Sequence, residues 1–343
     1  MSRSIVRLGA ILLVALMAIG AFAGEGRIPI YQFPTTITAS GKYVVTRNLG
    51  PAASGTVIID VQASDVDIDL NGFALSFSSG PGIAVQVIGQ QSVAIRNGSI
   101  RAGKVFVTGS QKIIIEDLRI DDSAEEGIFL EDVTSFAVRR NHVVGAGIGG
   151  IMVKNPGGNF SQGVIEGNLL ENCGAGIEID LGGSIEVSHN RVDRTSGANG
   201  IFLSNSHGCL LLENTLYSAA RDGIRLESSY CCKLYDNVVT DVSGAGIVLE
   251  NTHDSLVLNN VVSEANADGI FVNGRRNQVD RNLAGSNFQF GLHFGNAAAN
   301  CTFGRNTARG NAGGSCPTGG TPDFCDAGTN DSSFGDNFMP NLM

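Results

Sequence analysis

The chain has 343 residues, a formal net charge of −10 and only 16% charged side chains. An acidic balance excludes nucleic acid as the partner, because clustered Lys and Arg supply most of that binding; it also disfavours polyanions unless a cation or a local basic patch intervenes. With 46 glycines, no Trp and abundant Val, Ile, Asn and Ser, the composition suits many short strands parted by turns.

Residues 1–23 read as a secretory signal peptide. Arg3 and Arg7 begin it, an apolar run of 14 residues follows from Leu8 to Ala21, and Ala21-Phe22-Ala23 offers a small-x-small cleavage site. Cleavage there moves the net charge from −10 to −12, since two arginines and no acids leave with the segment. No later stretch reaches the roughly 18 apolar residues of a membrane span, so a secreted or periplasmic protein with no span in the mature chain is predicted. Residues 24–60 are expected to cap one end of the domain that follows.

From residue 61 to 310 the chain repeats. A tetrapeptide of the form Gly-Ile-x-aliphatic recurs from Gly82-Ile83-Ala84-Val85 through Gly127-Ile128-Phe129-Leu130, Gly176-Ile177-Glu178-Ile179 and Gly223-Ile224-Arg225-Leu226 to Gly269-Ile270-Phe271-Val272. The starts lie roughly 23 residues apart. A second marker keeps step with it, an aliphatic or aromatic residue three positions before an Asn, from Ile68/Asn71 through Leu234/Asn237 to Phe303/Asn306, with Asp117 in the place of Asn in one coil. In a strand of period two, Ile and the last aliphatic point inward and x points out. So short a unit cannot bury its own face, but stacked in parallel its neighbours bury one another. The Asn column suits an amide ladder, and the glycine is read as the tight turn at strand entry. The prediction is all-β, a right-handed parallel β-helix solenoid of about ten to eleven coils. Residues 311–343 break the pattern and read as a loop-rich cap, pinned by a Cys316–Cys325 disulfide or by a bond to Cys301. Cys209 and Cys232, one repeat apart, are either a cross-coil disulfide or an inert stack.

Over roughly residues 60 to 310 the chain resembles the right-handed parallel β-helix repeat proteins of the pectin-lyase-like superfamily. The repeat carries that resemblance, and Ile68-Asp69-Leu70-Asn71-Gly72-Phe73 looks like an entry coil of such proteins. The resemblance implies a substrate groove along the Gly-Ile-x-Leu strands. It does not carry the superfamily's catalytic signatures, since the Asn-Thr-Asp, Arg-x-Pro and Tyr-Gly-Phe-Asp-Pro-His elements and the glycine-rich calcium nonapeptide are all absent. Nor does it favour the copper-maturation role known for related repeat proteins. Soft-metal handling wants Met and His, and Met152 is the one methionine between the signal segment and the tail.

The outward positions of that strand hold the candidate chemistry. The first column is predicted as Ala84, Phe106, Phe129, Met152, Glu178, Phe202, Arg225, Val248, Phe271 and His293, and the second, two residues on, includes Lys154, Asp180, Glu227 and Glu250. Phe129, Phe202 and Phe271, with Lys154 and Glu250, are candidate substrate-binding residues, because exposed rings suit stacking on sugars or a partner surface. Glu178, Asp180, Arg225 and Glu227 are candidate catalytic residues. Paired carboxylates serve glycoside hydrolysis, and Glu227 against Glu250 on the next coil raises one pKa or recruits a cation. Calcium is the ion such a pair admits, although no motif supports it, and no other metal or cofactor is implied. The plainer alternative is a solvated face whose Lys and Arg pair the acids. His207, Tyr230, His253 and Arg276, at intervals of 23, are expected to stack at the following turn. The preferred reading is a protein that binds a polysaccharide or cell-surface glycan along this face; a lyase or glycosidase and a purely structural rod remain the alternatives.

Overall fold

The computed structural model describes residues 26–317, 319–334 and 337, so the predicted signal peptide lies outside the described residues. The chain winds as a parallel solenoid with three strands per coil. In one coil these are Ile224–Glu227, Lys233–Tyr235 and Val238–Thr240. Strands of the first kind stack into a 13-stranded parallel sheet, which is the Gly-Ile-x-Leu face. The other two kinds form a second and a third face. Gln91–Arg101 and Gln111–Asp121 run round the corner between them and join both into one 24-stranded network. Among the described residues no helix is long and apolar enough to cross a membrane.

Coils continue on both sides of the predicted span. Thr35–Ile37 and Val57–Val61 already pair in parallel with one another, and Phe324–Asp326 adds a strand onto Leu292–Phe294. The thirteen strands of the first face therefore outnumber the ten to eleven coils read from the repeat. The Cys316–Cys325 disulfide forms, with Cα atoms 5.6 Å apart. Cys209 and Cys232 are free and fully buried, one above the other. Contact with the Cys209 sulfur, together with burial, holds the Cys232 thiol above its usual pKa.

Inside the triangle the predicted alternation holds from Val105 onward. Ile128, Leu130, Ile224, Leu226, Ile247 and Leu249 are fully buried, while Phe129, Arg225 and Glu227 face out. The first repeat copy is the exception. A register shift at Lys104/Val105 sets Val85 opposite Val105 and Gln86 opposite Phe106. Gln86, not Ala84, thus stands in the outward column, and Ala84 is buried.

The glycine that opens each repeat works differently from the expected turn. Gly223 and Gly246 do not have positive φ. A Cβ on Gly246 would lie 2.1 Å from Val262 Cγ1 and 2.7 Å from the Gly269 carbonyl. The constraint is close approach between coils, and seven consecutive openings from Gly127 to Gly269 share it.

At the corner between the second and third faces the asparagines stack as predicted, from Asn141 to Asn306. Asn237 Oδ1 accepts both the Asn214 backbone N–H, at 3.0 Å, and Asn214 Nδ2, at 2.9 Å. Its own Nδ2 donates to the Leu211 carbonyl at 3.0 Å and to Asn260 Oδ1 at 2.9 Å. The ladder starts later than the sequence pattern suggests. Asn71 is exposed, and Leu118, not Asp117, holds the ladder position below Asn141 and donates its N–H to it. Asp117 instead sits at positive φ and pairs with Arg140. Since a buried polar group left unpaired costs about 1–3 kcal/mol, Asn237→Ala is expected to lower the unfolding free energy by roughly 3 kcal/mol. A urea titration followed by far-UV circular dichroism measures it; a midpoint equal to wild type would show that the ladder adds nothing to stability.

Candidate functional site

The first outward column is continuous in register. Phe106, Phe129, Met152, Glu178, Phe202, Arg225, Val248, Phe271 and His293 follow one another on successive strands. It is not a continuous aromatic strip, because Met152 and Val248 are buried at 2% and 3% exposure and two charged residues interrupt it. Apart from Phe202 in the middle, the rings gather at its two ends.

At the N-terminal end, the Phe106 and Phe129 ring centroids lie 5.6 Å apart. Lys104 Nζ stands over both rings, 5.6 and 5.4 Å from the centroids, and bonds Glu125 and Glu126 at 2.8 Å each. Burial alone would depress the Lys104 pKa, but the two carboxylates outweigh it and raise it. Phe106, Phe129, Lys104 and Glu125, with Ile83, Pro81 and Glu131, line an open cleft of about 360 Å³. Sequence reasoning singled out Phe129 here but not Lys104, because Lys104 occupies the opening-glycine place of an irregular coil.

The middle coils bring the predicted charged residues together as local pairs. Lys154 Nζ lies 3.4 Å from Glu178 Oε1. Asp180 accepts hydrogen bonds from Ser204 Oγ at 2.8 Å and Asn205 Nδ2 at 3.0 Å. Arg225 is held by Asp222 and by Glu227, each at 3.2 Å. Burial opposes the charge of Arg225, and the two carboxylates more than restore it, raising its pKa. Glu227 does face Glu250 in register, and Glu250 accepts a bond from Asn273 Nδ2 at 2.7 Å. Phe202 stands between Glu178 and Arg225. Asp222, a partner of Arg225, lies in the preceding turn, outside the two predicted columns.

Beside the face, His207 stacks on Tyr230 with centroids 5.3 Å apart, and Phe160 meets His207 edge-on at 4.1 Å. His253 follows Tyr230 as expected. The next coil has 22 residues, however, so Arg275 rather than Arg276 continues the column: its N–H donates to His253 Nδ1 at 3.0 Å. Arg276 pairs with Asp254 instead, at 2.6 Å.

This architecture agrees with a family model of the right handed beta helix region, which matches residues 53–192. The chain folds as a right-handed parallel β-helix. A second model, described as periplasmic copper-binding protein (NosD), matches residues 164–312 of the β-helix. Among the described residues no three of His, Cys, Asp and Glu gather as a metal-binding group, Met152 is buried, and Tyr230 separates His207 from His253. Among solved structures the β-helix is similar to the A-module of the mannuronan C-5 epimerase AlgE4 of Azotobacter vinelandii, with TM-score 0.60 and 13% identity over 95% of this chain and 93% of that one. It is also similar to the periplasmic alginate epimerase AlgG, with TM-score 0.57 and 14% identity over 84% and 79%. Tailspike protein 3 of bacteriophage CBA120 gives TM-score 0.58 and 11% identity over 96% of this chain and 56% of the tailspike. Identities this low establish the fold alone. No protein of curated function matches the chain in sequence.

Lys104→Met would leave Glu126, whose side chain is 10% exposed, without its cation, at an expected cost of about 2 kcal/mol, below the 3–5 kcal/mol of a fully buried pair. Because the folded pKa of Lys104 is raised, this stabilisation is fully present below 10.5 and fades as the pH climbs through the folded value. Unfolding of wild type and variant at neutral and strongly alkaline pH tests the sign; a stability difference that grows with pH contradicts the pairing.

Proposed function

We propose that this β-helix protein acts outside the cytoplasm and binds a polysaccharide along the outward column of its Gly-Ile-x-Leu face. The observation that carries this reading is the Phe106–Phe129 cleft. Two rings with a fixed ammonium above them and carboxylates at the rim offer an apolar platform with polar groups at its edge, the combination that a sugar ring, apolar on its face and hydroxylated at its edge, requires. Supporting evidence comes from the similar structures, which are alginate epimerases and a phage tailspike. The predicted leader, the Cys316–Cys325 disulfide and the periplasmic description of the matching family support an exported location.

The middle coils favour binding over turnover. Lys154 is paired with Glu178, Arg225 with Asp222 and Glu227, and Asp180 accepts from Ser204 and Asn205, so neither Lys154 nor Arg225 stands free as a base in these coils. The test is retention of the purified protein on acidic and neutral polysaccharides, with and without calcium, with product release read in parallel. Phe129→Ala is expected to weaken retention about 30-fold, the loss of a 2 kcal/mol contact, while Glu178→Ala and Arg225→Ala leave any product release at background. Sugar release that depends on Glu178 or Arg225 would replace binding with catalysis; retention of no glycan by the wild-type chain would leave a structural rod.

A further inference from the structure

Eight strands beyond Phe106, the same outward column ends in a second constellation, of which the sequence reading named only Phe271 as a binding residue. Asp268 lies in the turn before Ile270–Asn273, 6% exposed. Its Oδ1 accepts the Phe290 backbone N–H at 3.0 Å, and its Oδ2 lies 2.8 Å from His293 Nδ1. A carboxylate accepts only, so Nδ1 donates to it and Nε2 is the ring nitrogen left for a ligand. Nε2 has no partner among the described residues. The imidazole is wedged edge-on between Phe271 and Phe290, with centroids 5.0 and 5.1 Å away. Beside it opens a cleft of about 370 Å³ lined by Phe271, Asn273, His293, Asn296, Ser315 and Pro317. Asn273 is held rigid by Glu250 and the Ala297 N–H. The far wall is the tail: Ser315 and Pro317 flank Cys316, and its disulfide partner Cys325 pairs directly opposite His293 on the next strand.

We infer that this cleft is a second sugar subsite, and that the two clefts together anchor one linear, neutral polysaccharide lying along the solenoid axis. This rests on the glycan-binding reading above. A ring packed on Phe271 would place a hydroxyl, which can donate or accept, against His293 Nε2, a fixed polar atom that costs no reorganisation on binding. Both clefts belong to one column, and Phe129 and Phe271 are six strand steps apart in unbroken register. That is roughly 30 Å at the spacing of neighbouring strands. A short oligosaccharide reaches one cleft; a long chain reaches both. The charge along the column selects against uronates. Lys104, Lys154 and Arg225 are each engaged by carboxylates, while Glu131 and Glu250, bonded to Thr108 and Asn273 and to no cation, present negative charge to the same groove, so an anionic polymer meets repulsion without a free cation.

The experiment compares full-length wild type, Phe129→Ala, Phe271→Ala and His293→Ala by titration calorimetry against long galactomannan and amylose chains, short oligosaccharides cut from each, and alginate. Circular dichroism and urea midpoints confirm that each variant folds. Joining two anchors on one chain is expected to favour the long neutral polymer over its short fragments by about 100-fold or more. Phe271→Ala, His293→Ala and reduction of Cys316–Cys325 should each bring the long chain down to the affinity of the fragments. Equal affinity for long and short chains, or variants at Phe271 and His293 that bind like wild type while Phe129→Ala loses binding, would remove the second anchor and leave the first cleft standing. Preference for alginate over both neutral polymers would overturn the neutral class. Retention of none of the three polymers would take the glycan reading down, and the second anchor with it.

Discussion

Every feature of this molecule depends on coils stacking in register at one fixed spacing, and the corner asparagines are where that register is enforced. Each buried side-chain amide takes a backbone N–H and an amide N–H from the coil below through one oxygen, and gives its own hydrogens to a carbonyl and to the next oxygen. A slip by one residue would turn the inward aliphatics out and would also break four buried hydrogen bonds at each corner. Cooperativity of that kind makes the face flat and regular. It also leaves little freedom to converge side chains from distant coils, because neighbours in a column are always one strand apart.

The opening glycines show how tightly the spacing is set. With Val262 Cγ1 only 2.1 Å from where a Gly246 Cβ would stand, no other residue fits without moving a neighbouring coil. Read from the sequence alone, a recurring glycine before a strand suggests a turn. Its actual cause is a contact with a residue of the third face and with the following coil, and no single repeat displays that partner. The same limit explains Asp117. Its spacing from Ile114 matched the ladder pattern, but the corner there is built from Leu118, and the next coil's Arg140 claims the carboxylate.

Much of the fold was therefore legible, and less of the site. The repeat motif gives the direction of each side chain wherever its strands pair without a register shift, so the columns from Phe106 to His293 and from Glu227 to Glu250 are in the places assigned to them. Where coil length changes, arithmetic fails: Ala84 lies in the core, and Arg275 takes the position given to Arg276. What spacing cannot carry is contact between a column and the turns beside it. Lys104 enters from the first position of its strand and Asp222 and Asp268 from the turns, and they decide respectively what stands over Phe129, what holds Arg225 and which nitrogen of His293 is free.

That distinction bears on how a β-helix of this kind acquires function. The strand positions supply a ruled surface, with rings and charges at about 4.8 Å intervals, whereas the turn residues tune each one by pairing or orienting it. In the middle coils the turns neutralise: Asp222 takes up Arg225. At the two ends the neighbouring residues do the opposite, since Lys104, at its strand's first position, caps a pair of rings and Asp268 frees an imidazole nitrogen. An extended surface with a quiet centre and chemistry at both ends matches a long ligand better than a compact one. A small substrate would need its groups within one cleft. A polymer lying parallel to the axis meets the same spacing that the asparagine ladder imposes on the protein.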